Sequence, residues 1–476
     1  MKVAALSGID VRGLAYDSRQ VRPGDVFIAL KGLKAAGADF AADAIRRGAV
    51  AVVADRPSDA ASAVPWVIVP DARAAMATLA ADFYGHPSRA MQVVGITGTN
   101  GKTTTAYLLR AVFESAGTKC GLLGTVAYSI GDRELPAART TPEAPDVQRM
   151  FRQMVDAGCH ACLMEVSSHA LALRRVDCTV FAAAVFTNLT RDHLDYHGDM
   201  ESYFAAKRRL FDMLSDGVPA VINLDDPRGD SLRKAVSTPV TYAINKPADV
   251  TPGPLTLTFE GLEFNARTPK GDVHVKSKLV GRPNVSNILA TVAVATALEV
   301  PTGAIEHGLA NLRGVPGRFE LVSSTRDDIT VVIDYAHTDD ALKNLLETAR
   351  PLAQRRLITV FGCGGDRDRT KRPLMGAVAA RLSDVVVLTS DNPRTEDPAR
   401  IIEEIKRGFP TASDRGAVSF TIVDRKEAMQ FAIKKAEPGD LVLLAGKGHE
   451  QSQTIGSVEL PFDEAAIARA ALEQRR

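Results

Sequence analysis

The amino-acid sequence predicts an α/β protein built from three domains. Its 476 residues are too many for one hydrophobic core of ordinary size. Apolar runs typical of buried strands alternate with helical patterns over most of the chain, and this alternation is typical of parallel sheets. Gly85 and Pro87 break the pattern. We therefore expect a smaller N-terminal α/β domain in residues 1–88, a central parallel-sheet domain in residues 89–315 and a C-terminal α/β domain in residues 316–476.

The composition is typical of a globular protein that recognises its ligand locally. Hydrophobic residues make up 45% of the chain and charged residues 24%. No apolar run approaches the roughly 18 residues of a membrane span, and Asp10 and Arg12 interrupt the N-terminus before a signal-peptide apolar region could form. The net charge of +1 provides no general field for nucleic acid. We expect a cytoplasmic protein with no membrane insertion and no nucleic-acid partner.

The first two domains contain strands followed by helices. In the first, two alanine-rich helical patterns accompany three predicted strands, Val26–Leu30, Ala49–Val53 and Trp66–Val69. The second begins with the strand MQVVGITG, a glycine turn and a helix whose apolar positions are 106, 109, 112, 113 and 116. Residues 251–283 alternate with glycine and proline turns, which predicts an antiparallel insertion before a helix that starts near Asn284.

Five further strands are predicted in the last domain, and each ends in a polar or glycine-rich loop. Ligands of open α/β sheets bind at the carboxyl ends of strands, so we expect these loops to share one wall of a cleft. The segments are ITVVIDYAH, RLITVFGCGGDRD, DVVVLTSDNPR, SFTIVD and DLVLLAGKGHE.

The segment TGTNGKTT, residues 97–104, predicts a phosphate-binding loop. It lies between a strand and a helix, where backbone N–H groups and the positive helix end can hold phosphate oxygens. Lys102 would reach the terminal phosphates and the Thr103 hydroxyl would hold Mg²⁺. The usual spacing requires glycine where this chain has Ile96. The alternative is a glycine-rich turn followed by a solvated lysine.

Lys207 falls on the apolar side of a predicted helix. In MESYFAAKRRLFDML, residues 200–214, it shares a stripe with Phe204, Phe211 and Leu214. From the helix alone, the favoured interpretation is a lysine whose stem is buried and whose ammonium reaches water. The alternative is a desolvated lysine that loses its proton and reacts with CO₂ to form a carbamate, an anion that can bind a cation.

Two strand ends carry candidate metal ligands. Glu165 ends the strand HACLMEV, and His193 and His197 follow a later strand. Two histidines four residues apart could be zinc ligands on a helix, but no Glu follows His193 as in H-E-x-x-H, which makes a zinc protease improbable. His193 alone is as consistent with a structural role as with a functional one. Beside a phosphate loop and Glu165, it becomes a plausible ligand of a second metal ion.

The turn DNPR, residues 391–394, presents an acid, an amide and a guanidinium directly after a strand. One interpretation is that Asp391 or Asn392 caps a helix while Arg394 is solvated. The other is that Arg394 binds a carboxylate while Asp391 and Asn392 accept hydrogen bonds from an ammonium. The five cysteines are scattered, and the Cys159-x-x-Cys162 pair has no second pair, so a metal or redox role is not favoured.

Nine motifs, in order from residue 97 to residue 450, resemble those of the Mur ligases of peptidoglycan synthesis. They are TGTNGKTTT, MEVSSHAL, TNLTRDHLDYHG, SYFAAKRRLF, GRPNVSN, DYAHTDDAL, GCGGDRDRTKRPLM, DNPR and GKGHE. The resemblance covers nearly the whole chain. It implies an N-terminal UDP-substrate domain, a central P-loop ATPase domain and a Rossmann-like C-terminal domain that receives an amine.

The resemblance also implies the reaction and its residues. ATP phosphorylates a D-glutamyl carboxylate of a UDP-muramoyl dipeptide, and an amino acid attacks the acyl phosphate. DNPR is the form found in family members that use meso-diaminopimelate. Catalysis and Mg²⁺ binding are assigned to Lys102, Thr103, Glu165, His193 and carbamylated Lys207. ATP binding is assigned to Gly98, Thr99, Asn100, Gly101, Lys102, Thr103, Thr104, Asn287, Arg318, Asp334, Tyr335 and His337. UDP-substrate binding is assigned to Ser18, Thr140, Thr141, Ser168 and either Arg174 or Arg175. Diaminopimelate binding is assigned to Arg367, Asp391, Asn392, Arg394, Gly446 and Glu450.

Some positions depart from the family pattern, and alternatives stay open. Ala36 and Ala38 replace larger polar residues in a loop expected to contact uridine, and Pro283 and Asp339 replace an aromatic residue and a proline. A lysine-adding Mur ligase or a folylpolyglutamate synthetase is a related alternative, and DNPR discriminates against both. A nucleotide-switch GTPase is a remote one, because the aspartate of NKPAD, residues 245–249, is one residue late for guanine recognition. We expect a monomer.

Overall fold

The N-terminal part of the protein is a small parallel sheet with helices. The structure, a computed structural model, describes residues 6, 8–32, 36–57, 64–410 and 417–475. Four parallel strands pair in chain order, and all of their partners are near in sequence. The strands are β1 Gly13–Ala15, β2 Asp25–Ala29, β3 Ala51–Ala54 and β4 Trp66–Ile68. The helices are α1 Ala41–Arg46 and α2 Ala72–Phe83, with 3-10 turns at Ser18–Gln20, Gly37–Phe40 and Pro87–Arg89.

The central part contains an eight-stranded sheet. Its strands are β5 Gln92–Thr97, β6 Cys120–Leu123, β7 Ala127–Ile130, β8 Arg133–Pro136, β9 Ala161–Glu165, β10 Ala183–Phe186, β11 Ala220–Asn223 and β12 Pro239–Tyr242. The order is β12-β11-β10-β5-β9-β6-β7-β8, parallel from β12 to β6 and antiparallel beyond it. The helices are α3 Lys102–Ser115, α4 Ala144–Asp156, α5 Ser168–Ala172, α6 Leu194–His197, α7 Met200–Asp212, α8 Gly229–Ala235, α9 Arg282–Ala297 and α10 Thr302–Asn311.

Side-chain alternation along β5 builds two cores on opposite faces of the central sheet. Val94 and Ile96 pack with α3, α9 and α10, whereas Val93 packs into the core that contains residues of α4 and α7. Burial on both faces explains why β5 is a continuous apolar run rather than an alternating one. The sheet is therefore covered by helices on both faces.

The predicted antiparallel insertion is confirmed. Its strands are β13 Thr251–Pro252, β14 Thr256–Thr258, β15 Gly261–Arg267 and β16 Val273–Ser277. The inward residues Leu262, Phe264 and Val275 join the core formed by α9 and α10. Helix α9 begins at Arg282, two residues before the predicted start, because Pro283 is favourable in a first helical turn.

The C-terminal part is a six-stranded sheet ordered β17-β18-β22-β19-β20-β21, parallel except for β17. Its strands are β17 Glu320–Leu321, β18 Thr330–Asp334, β19 Leu357–Phe361, β20 Val385–Leu388, β21 Val418–Thr421 and β22 Leu441–Ala445, with a hairpin of β23 Ser452–Ile455 and β24 Val458–Pro461. The helices are α11 Asp339–Ala349, α12 Lys371–Leu382, α13 Pro398–Lys406, α14 Arg425–Lys435 and α15 Glu464–Arg475, with a 3-10 turn at Arg350–Leu352.

The α/β class and the five C-terminal strands predicted from sequence are confirmed, while the domain limits at residues 88 and 315 stay a prediction. Among the described residues, no helix combines the length and apolar character that crossing a membrane requires. Strands β9, β5 and β10 are neighbours in the sheet, so the loops after Glu165, Thr97 and Phe186 meet at one edge. This edge positions the candidate site.

Candidate functional site

The predicted phosphate loop connects β5 to α3. Gly101 has φ of +87° and immediately precedes the helix, and a Cβ there would lie 2.4 Å from Asn287 Oδ1. Only glycine tolerates both the left-handed backbone and this close approach. On the other side of the loop, Gly98 lies so close to Thr187 that a Cβ at Gly98 would come within 1.8 Å of the Thr187 hydroxyl oxygen. The loop is thus enclosed between α9 and the strand end after β10.

Lys102 is tied to the phosphate loop rather than solvated. Its Nζ donates to Gly98 O at 2.9 Å and to Thr99 O at 2.8 Å. Burial lowers the pKa of Lys102, and the Glu165 carboxylate opposes this effect. The interpretation as a solvated lysine after a glycine turn is therefore wrong. An anion bound at the loop would offer this ammonium a charged partner in place of two carbonyls.

Glu165 lies beside the loop and organises two threonines. Its carboxylate accepts from the Thr103 hydroxyl at 3.1 Å, from Thr125 N at 2.8 Å and from the Thr125 hydroxyl at 3.0 Å. The glutamate side chain is buried at 1% exposure. A carboxylate and a hydroxyl side by side are hard oxygen ligands of the type that Mg²⁺ prefers. The Glu165 carboxylate and the Thr103 hydroxyl therefore fit a magnesium ion.

Lys207 is buried at 2% exposure and does not reach water. Its Nζ donates to Gly98 O at 2.8 Å, the same carbonyl that Lys102 uses, and lies 4.4 Å from the Tyr203 ring centroid. Burial, together with the neighbouring Lys102 ammonium, holds the pKa of Lys207 well below its usual range. The interpretation that the ammonium extends to solvent is wrong.

The two histidines do not lie on a common helix. His193 has φ of +54° and precedes α6, whereas His197 ends it. Burial lowers the pKa of His193 to about 3, although Asp192 opposes the shift, so the ring is neutral at physiological pH. His197 Nε2 lies 2.9 Å from the Ser168 hydroxyl. Among the described residues, no three His, Cys, Asp or Glu side chains are grouped as a metal site. The geometry therefore does not place His193 and His197 as a pair of zinc ligands on one helix.

A cleft of about 280 Å³ gathers many of the predicted residues. Arg318 donates to the Thr103 hydroxyl at 3.1 Å and stacks 4.6 Å from the Tyr335 ring centroid, so the C-terminal part contributes one wall. Asn100 donates to Asp340 across the same boundary at 3.0 Å. The predicted residues lining the cleft are Thr99, Asn100, Gly101, Lys102, Thr103, Thr104, Thr140, Glu165, His193, Asn287, Arg318, Asp334, Tyr335 and His337.

Other predicted contacts lie outside this lining. The Thr141 hydroxyl donates to Glu165 O at 2.8 Å, so Thr141 contacts a residue of the cleft lining. Arg175 donates to Thr141 O at 3.1 Å and lies one contact further away. Arg174 instead pairs with Asp71 at 2.7 Å and Asp177 at 2.9 Å. Ser18 is buried in the N-terminal part. The structure thus separates the two arginines that the sequence could not.

The DNPR turn forms a second cluster at the end of β20. Asp391 and Asn392 are buried, and Arg394, at φ of +51°, donates to Gly365 O at 2.7 Å. A Cβ at Gly364 would lie 3.0 Å from Arg394 Nη1 and 3.7 Å from Arg367 Cγ, so the two arginines flank one glycine. The helix-cap interpretation is wrong, because α13 begins at Pro398 and Asp397 caps it.

The amide of Asn392 is already engaged. Its Nδ2 donates to Glu450 Oε2 at 2.9 Å, and its Oδ1 accepts from Lys447 Nζ and from Thr454 N, both at 3.0 Å. Both lone pairs of the Asn392 oxygen are used in this arrangement, and the contact between Asn392 and a ligand ammonium stays a prediction. Gly446, which has φ of +114°, begins the loop that carries Lys447 and Glu450.

Sequence reasoning missed several cleft residues. Thr125 follows β6 and Asp192 follows β10, so the rule that ligands bind at strand ends could have found both. Lys447 lies inside the GKGHE motif and is a further residue that the sequence analysis did not single out. Its complete burial could not be read from a loop sequence.

Two minor motifs have structural explanations. Cys159 and Cys162 are buried free thiols, and burial raises the pKa of both, which opposes redox reactivity. Asp249 of the NKPAD segment accepts from the Thr241 backbone N–H at 2.8 Å and from its hydroxyl at 2.6 Å. It therefore stabilises the edge of the central sheet.

Three family models match consecutive parts of the chain. The Mur ligase family catalytic domain matches residues 10–84, the Mur ligase middle domain residues 96–295 and the Mur ligase glutamate ligase domain residues 317–448. A curated relative from Geobacillus thermodenitrificans, named UDP-N-acetylmuramoyl-L-alanyl-D-glutamate--2,6-diaminopimelate ligase, is 48% identical over 474 residues and covers 98% of this chain and 96% of its own length. A relative of the same name from Gloeobacter violaceus is 48% identical over 473 residues, covering 99% of this chain and 96% of its own length.

Solved structures agree with these matches. A structure titled as a UDP-N-acetylmuramoyl-L-alanyl-D-glutamate--2,6-diaminopimelate ligase has a TM-score of 0.68 and 35% identity, and covers 98% of this chain and 95% of its own. The MurF ligase from Thermotoga maritima in complex with ADP has a TM-score of 0.67 at 18% identity, covering 98% and 97%. The second likeness concerns the fold alone.

Proposed function

The chain belongs to the Mur ligase family, and from that premise we propose that it adds meso-2,6-diaminopimelate to UDP-N-acetylmuramoyl-L-alanyl-D-glutamate at the expense of ATP. Relatives close to half identical over nearly the full length carry the name of this ligase. The site observation that supports the choice of amine is the DNPR turn, which gathers Asp391 and Arg394 at one strand end. L-lysine, the substrate of a lysine-adding ligase, has no distal carboxylate to pair with Arg394.

The reaction needs an activated carboxylate, because amide formation in water is unfavourable. ATP transfers its γ-phosphoryl group to the D-glutamyl carboxylate, which gives an acyl phosphate and ADP. The amine of diaminopimelate attacks the acyl carbon, and inorganic phosphate leaves. Lys102 and the backbone N–H groups of residues 98–104 stabilise the charge on the transferring phosphoryl group. The part of the cleft proposed to hold the nucleotide is lined by Asn287, Arg318, Asp334, Tyr335 and His337.

Magnesium fits the oxygen ligands beside the phosphate loop. Thr103 and Glu165 would hold it, with phosphate oxygens and water completing the coordination. When bound, Mg²⁺ neutralises charge on the phosphates and helps to orient them. His193, neutral and facing the same cleft, is the candidate for a second metal position.

Lys207 is proposed to carry a carbamate. In the unmodified form, the buried Lys207 ammonium and the part-buried Lys102 ammonium donate to the single carbonyl of Gly98, which places like charges together. The lowered pKa makes the neutral amine available, and its addition to CO₂ with loss of one proton gives an N-carboxylate. The modification replaces a repelling cation with an anion that pairs with Lys102 or a metal ion.

The remaining assignments follow the family. The UDP substrate would contact Ser18, Thr140, Thr141, Ser168 and Arg175, of which Arg175 is preferred over Arg174 because it adjoins Thr141. The alanines at 36 and 38 would leave part of the uridine contact to other residues. Arg367, Asp391, Arg394, Gly446 and Glu450 would surround diaminopimelate, with Asn392 holding Glu450. We further propose a cytoplasmic monomer divided at residues 88 and 315, without a nucleic-acid partner.

The test is a product assay. The protein is incubated with ATP, Mg²⁺, the UDP-muramoyl dipeptide and a panel of amino acids, and the products are identified by mass spectrometry. A tripeptide product containing meso-diaminopimelate, formed with ADP and phosphate, is expected. A preference for L-lysine, or formation of a polyglutamyl product from a folate, would contradict the proposal.

A further inference from the structure

Lys447 is a completely buried charge that the proposed chemistry leaves without a role. It follows β22 and is 0% exposed. Its Nζ donates to Asn392 Oδ1 at 3.0 Å and to Glu450 Oε2 at 3.0 Å, and lies 3.7 Å from Asp391 Oδ1. One ammonium therefore contacts three polar side chains of the cluster around the DNPR turn. Because it has no exposed surface, Lys447 acts on a ligand only through these neighbours.

The contacts of Lys447 leave Asp391 as the acceptor with spare capacity. Asn392 Oδ1 receives Lys447 and Thr454 N, and the amide group of Asn392 is turned toward Glu450. Asp391 Oδ1 is buried and has no hydrogen-bond partner. A buried carboxylate oxygen in this condition is costly unless a donor arrives. The Asp391 carboxylate thus keeps hydrogen-bonding capacity that the described side chains do not use.

The charges around the turn are not all paired with one another in the part of the chain that the structure describes. Arg425 and Glu464 form a buried pair at 2.7 Å. Arg425 also donates to Ser390 O and Ala445 O, and these bonds connect the ends of β20 and β22. Lys447 offsets one of the two carboxylates of Asp391 and Glu450, which leaves one excess negative charge.

The side-chain hydrogen bond that the structure shows for Arg394 goes to the neutral carbonyl of Gly365. One excess negative charge and one guanidinium match a group that carries both an ammonium and a carboxylate. They match a lone ammonium poorly.

We propose that Lys447 is a positioning residue that makes the site select an amine substrate with a zwitterionic distal end over one with a distal ammonium alone. The proposal rests on the proposed function and explains its choice of substrate. Without Lys447, two uncompensated carboxylates would attract an ammonium more strongly and repel a distal carboxylate. Asn392 and Glu450 would also lose the donor that holds them in register.

The experiment compares meso-diaminopimelate with L-lysine for wild-type protein, Lys447→Met and a control, Lys426→Met, which changes an exposed lysine of the same domain. Initial rates are measured for each amine, and KM is measured for ATP and for the UDP-muramoyl dipeptide. For Lys447→Met, we expect kcat/KM for diaminopimelate to fall at least about tenfold. The loss for L-lysine should be smaller, so the preference ratio falls, while KM for ATP stays within about twofold. The control should match wild type.

Each outcome has one meaning. If the wild type ligates neither amine, the proposed function is wrong, and the role proposed for Lys447 is wrong with it. If wild type prefers diaminopimelate and Lys447→Met leaves the preference ratio unchanged, the positioning role is wrong, even when both rates fall together. Should circular dichroism show Lys447→Met to be unfolded, Lys447→Gln, which keeps a donor without the charge, replaces it. An unchanged ratio in that variant overturns the proposal equally.

Discussion

At the scale of single residues, the unusual feature is that two lysine ammonium groups share the carbonyl of Gly98. Sequence patterns located both lysines, because the motif around Lys102 and the helical stripe through Lys207 are local signals. They could not reveal that both side chains converge on one oxygen, since this depends on the pairing of strands far apart in the chain. For the same reason the sequence favoured a solvent-reaching Lys207, whereas the structure buries it.

Lys102→Ala is expected to abolish turnover. The terminal phosphates would lose their positioned cation, and such electrostatic stabilisation is usually worth about 2.7–4 kcal/mol or more of transition-state energy. Steady-state phosphate release, with circular dichroism to verify folding, measures the effect. Near-normal ligation by this variant would show that the loop does not bind the reacting phosphates.

Lys207→Ala should nearly eliminate activity, and formate or acetate should restore part of it by supplying the missing anion. Arg208→Ala, which changes an exposed neighbour on the same helix, is the control and should respond to neither treatment. Rates are measured with increasing carboxylate at constant ionic strength. Full activity of Lys207→Ala without additive would disprove a catalytic carbamate.

Arg394→Ala is expected to reduce kcat/KM for meso-diaminopimelate by a factor on the order of 10² or more. Losing one partner of a desolvated guanidinium–carboxylate pair typically costs about 2–5 kcal/mol. Arg400→Ala, in the exposed part of the following helix, should have no effect. An Arg394→Ala variant that keeps the wild-type preference for diaminopimelate over L-lysine would refute the assignment of the turn.

At the scale of elements, α12 connects two loops of the proposed diaminopimelate site. Arg372 is 0% exposed and donates to Glu396, Glu404 and Gly364 O. Glu396 also accepts from Asp366 N at 2.7 Å, so the loop after β19 and the turn after β20 share one ion cluster. The sequence showed the strands and the loops, because their apolar runs are local. It did not show this connection, because one arginine of a basic stretch resembles any other.

Arg372→Met is expected to destabilise the C-terminal domain by up to about 3–5 kcal/mol, because two carboxylates lose their buried partner. The hydrogen bond from Arg372 lowers the pKa of Glu396 to about 2. A depressed carboxyl pKa contributes stability that is present above the unfolded value near 4.5 and is lost as the pH falls toward 2. The difference between variant and wild type in urea unfolding should therefore be large at pH 7 and smaller at pH 3.

The control for this measurement is Arg400→Met, whose side chain is 87% exposed. It should stay within about 0.5 kcal/mol of wild type. A destabilisation of Arg372→Met that is the same at both pH values would rule out the ion cluster as its cause.

At the scale of the whole molecule, polar contacts hold the C-terminal part against the phosphate loop. Arg318 bonds the Thr103 hydroxyl and stacks on Tyr335, whereas Arg191 pairs with Asp368 at 3.2 Å near the surface. The sequence predicted that the loops after the C-terminal strands share one wall of a cleft, because ligands of open α/β sheets bind at the carboxyl ends of strands. It could not predict which side chains join the two parts, since no pattern within one segment records a contact with another.

The two contacts should differ in importance. Arg191→Ala removes a partly exposed ion pair, typically worth about 0–1 kcal/mol, and should change kcat/KM for ATP by less than about fivefold. Arg318→Ala removes a donor beside the proposed magnesium and phosphate position and should lower kcat/KM for ATP by tenfold or more. Initial rates at limiting ATP measure both variants. Equal effects would show that surface pairing, not the cleft contact, holds the parts together.

The strand order of the central sheet determines how the chain folds during synthesis. Strands β1 to β4 pair in chain order, so they can assemble as soon as they leave the ribosome. Strand β5 ends at Thr97, but its partners β9 and β10 end at Glu165 and Phe186, so the second partner is complete 186 − 97 = 89 residues later. At a synthesis rate of 5–20 residues per second, one edge of the apolar β5 stays unpaired for roughly 5–20 s. The strand that carries the phosphate loop therefore keeps one edge open to mispairing in a nascent chain until β10 has been made.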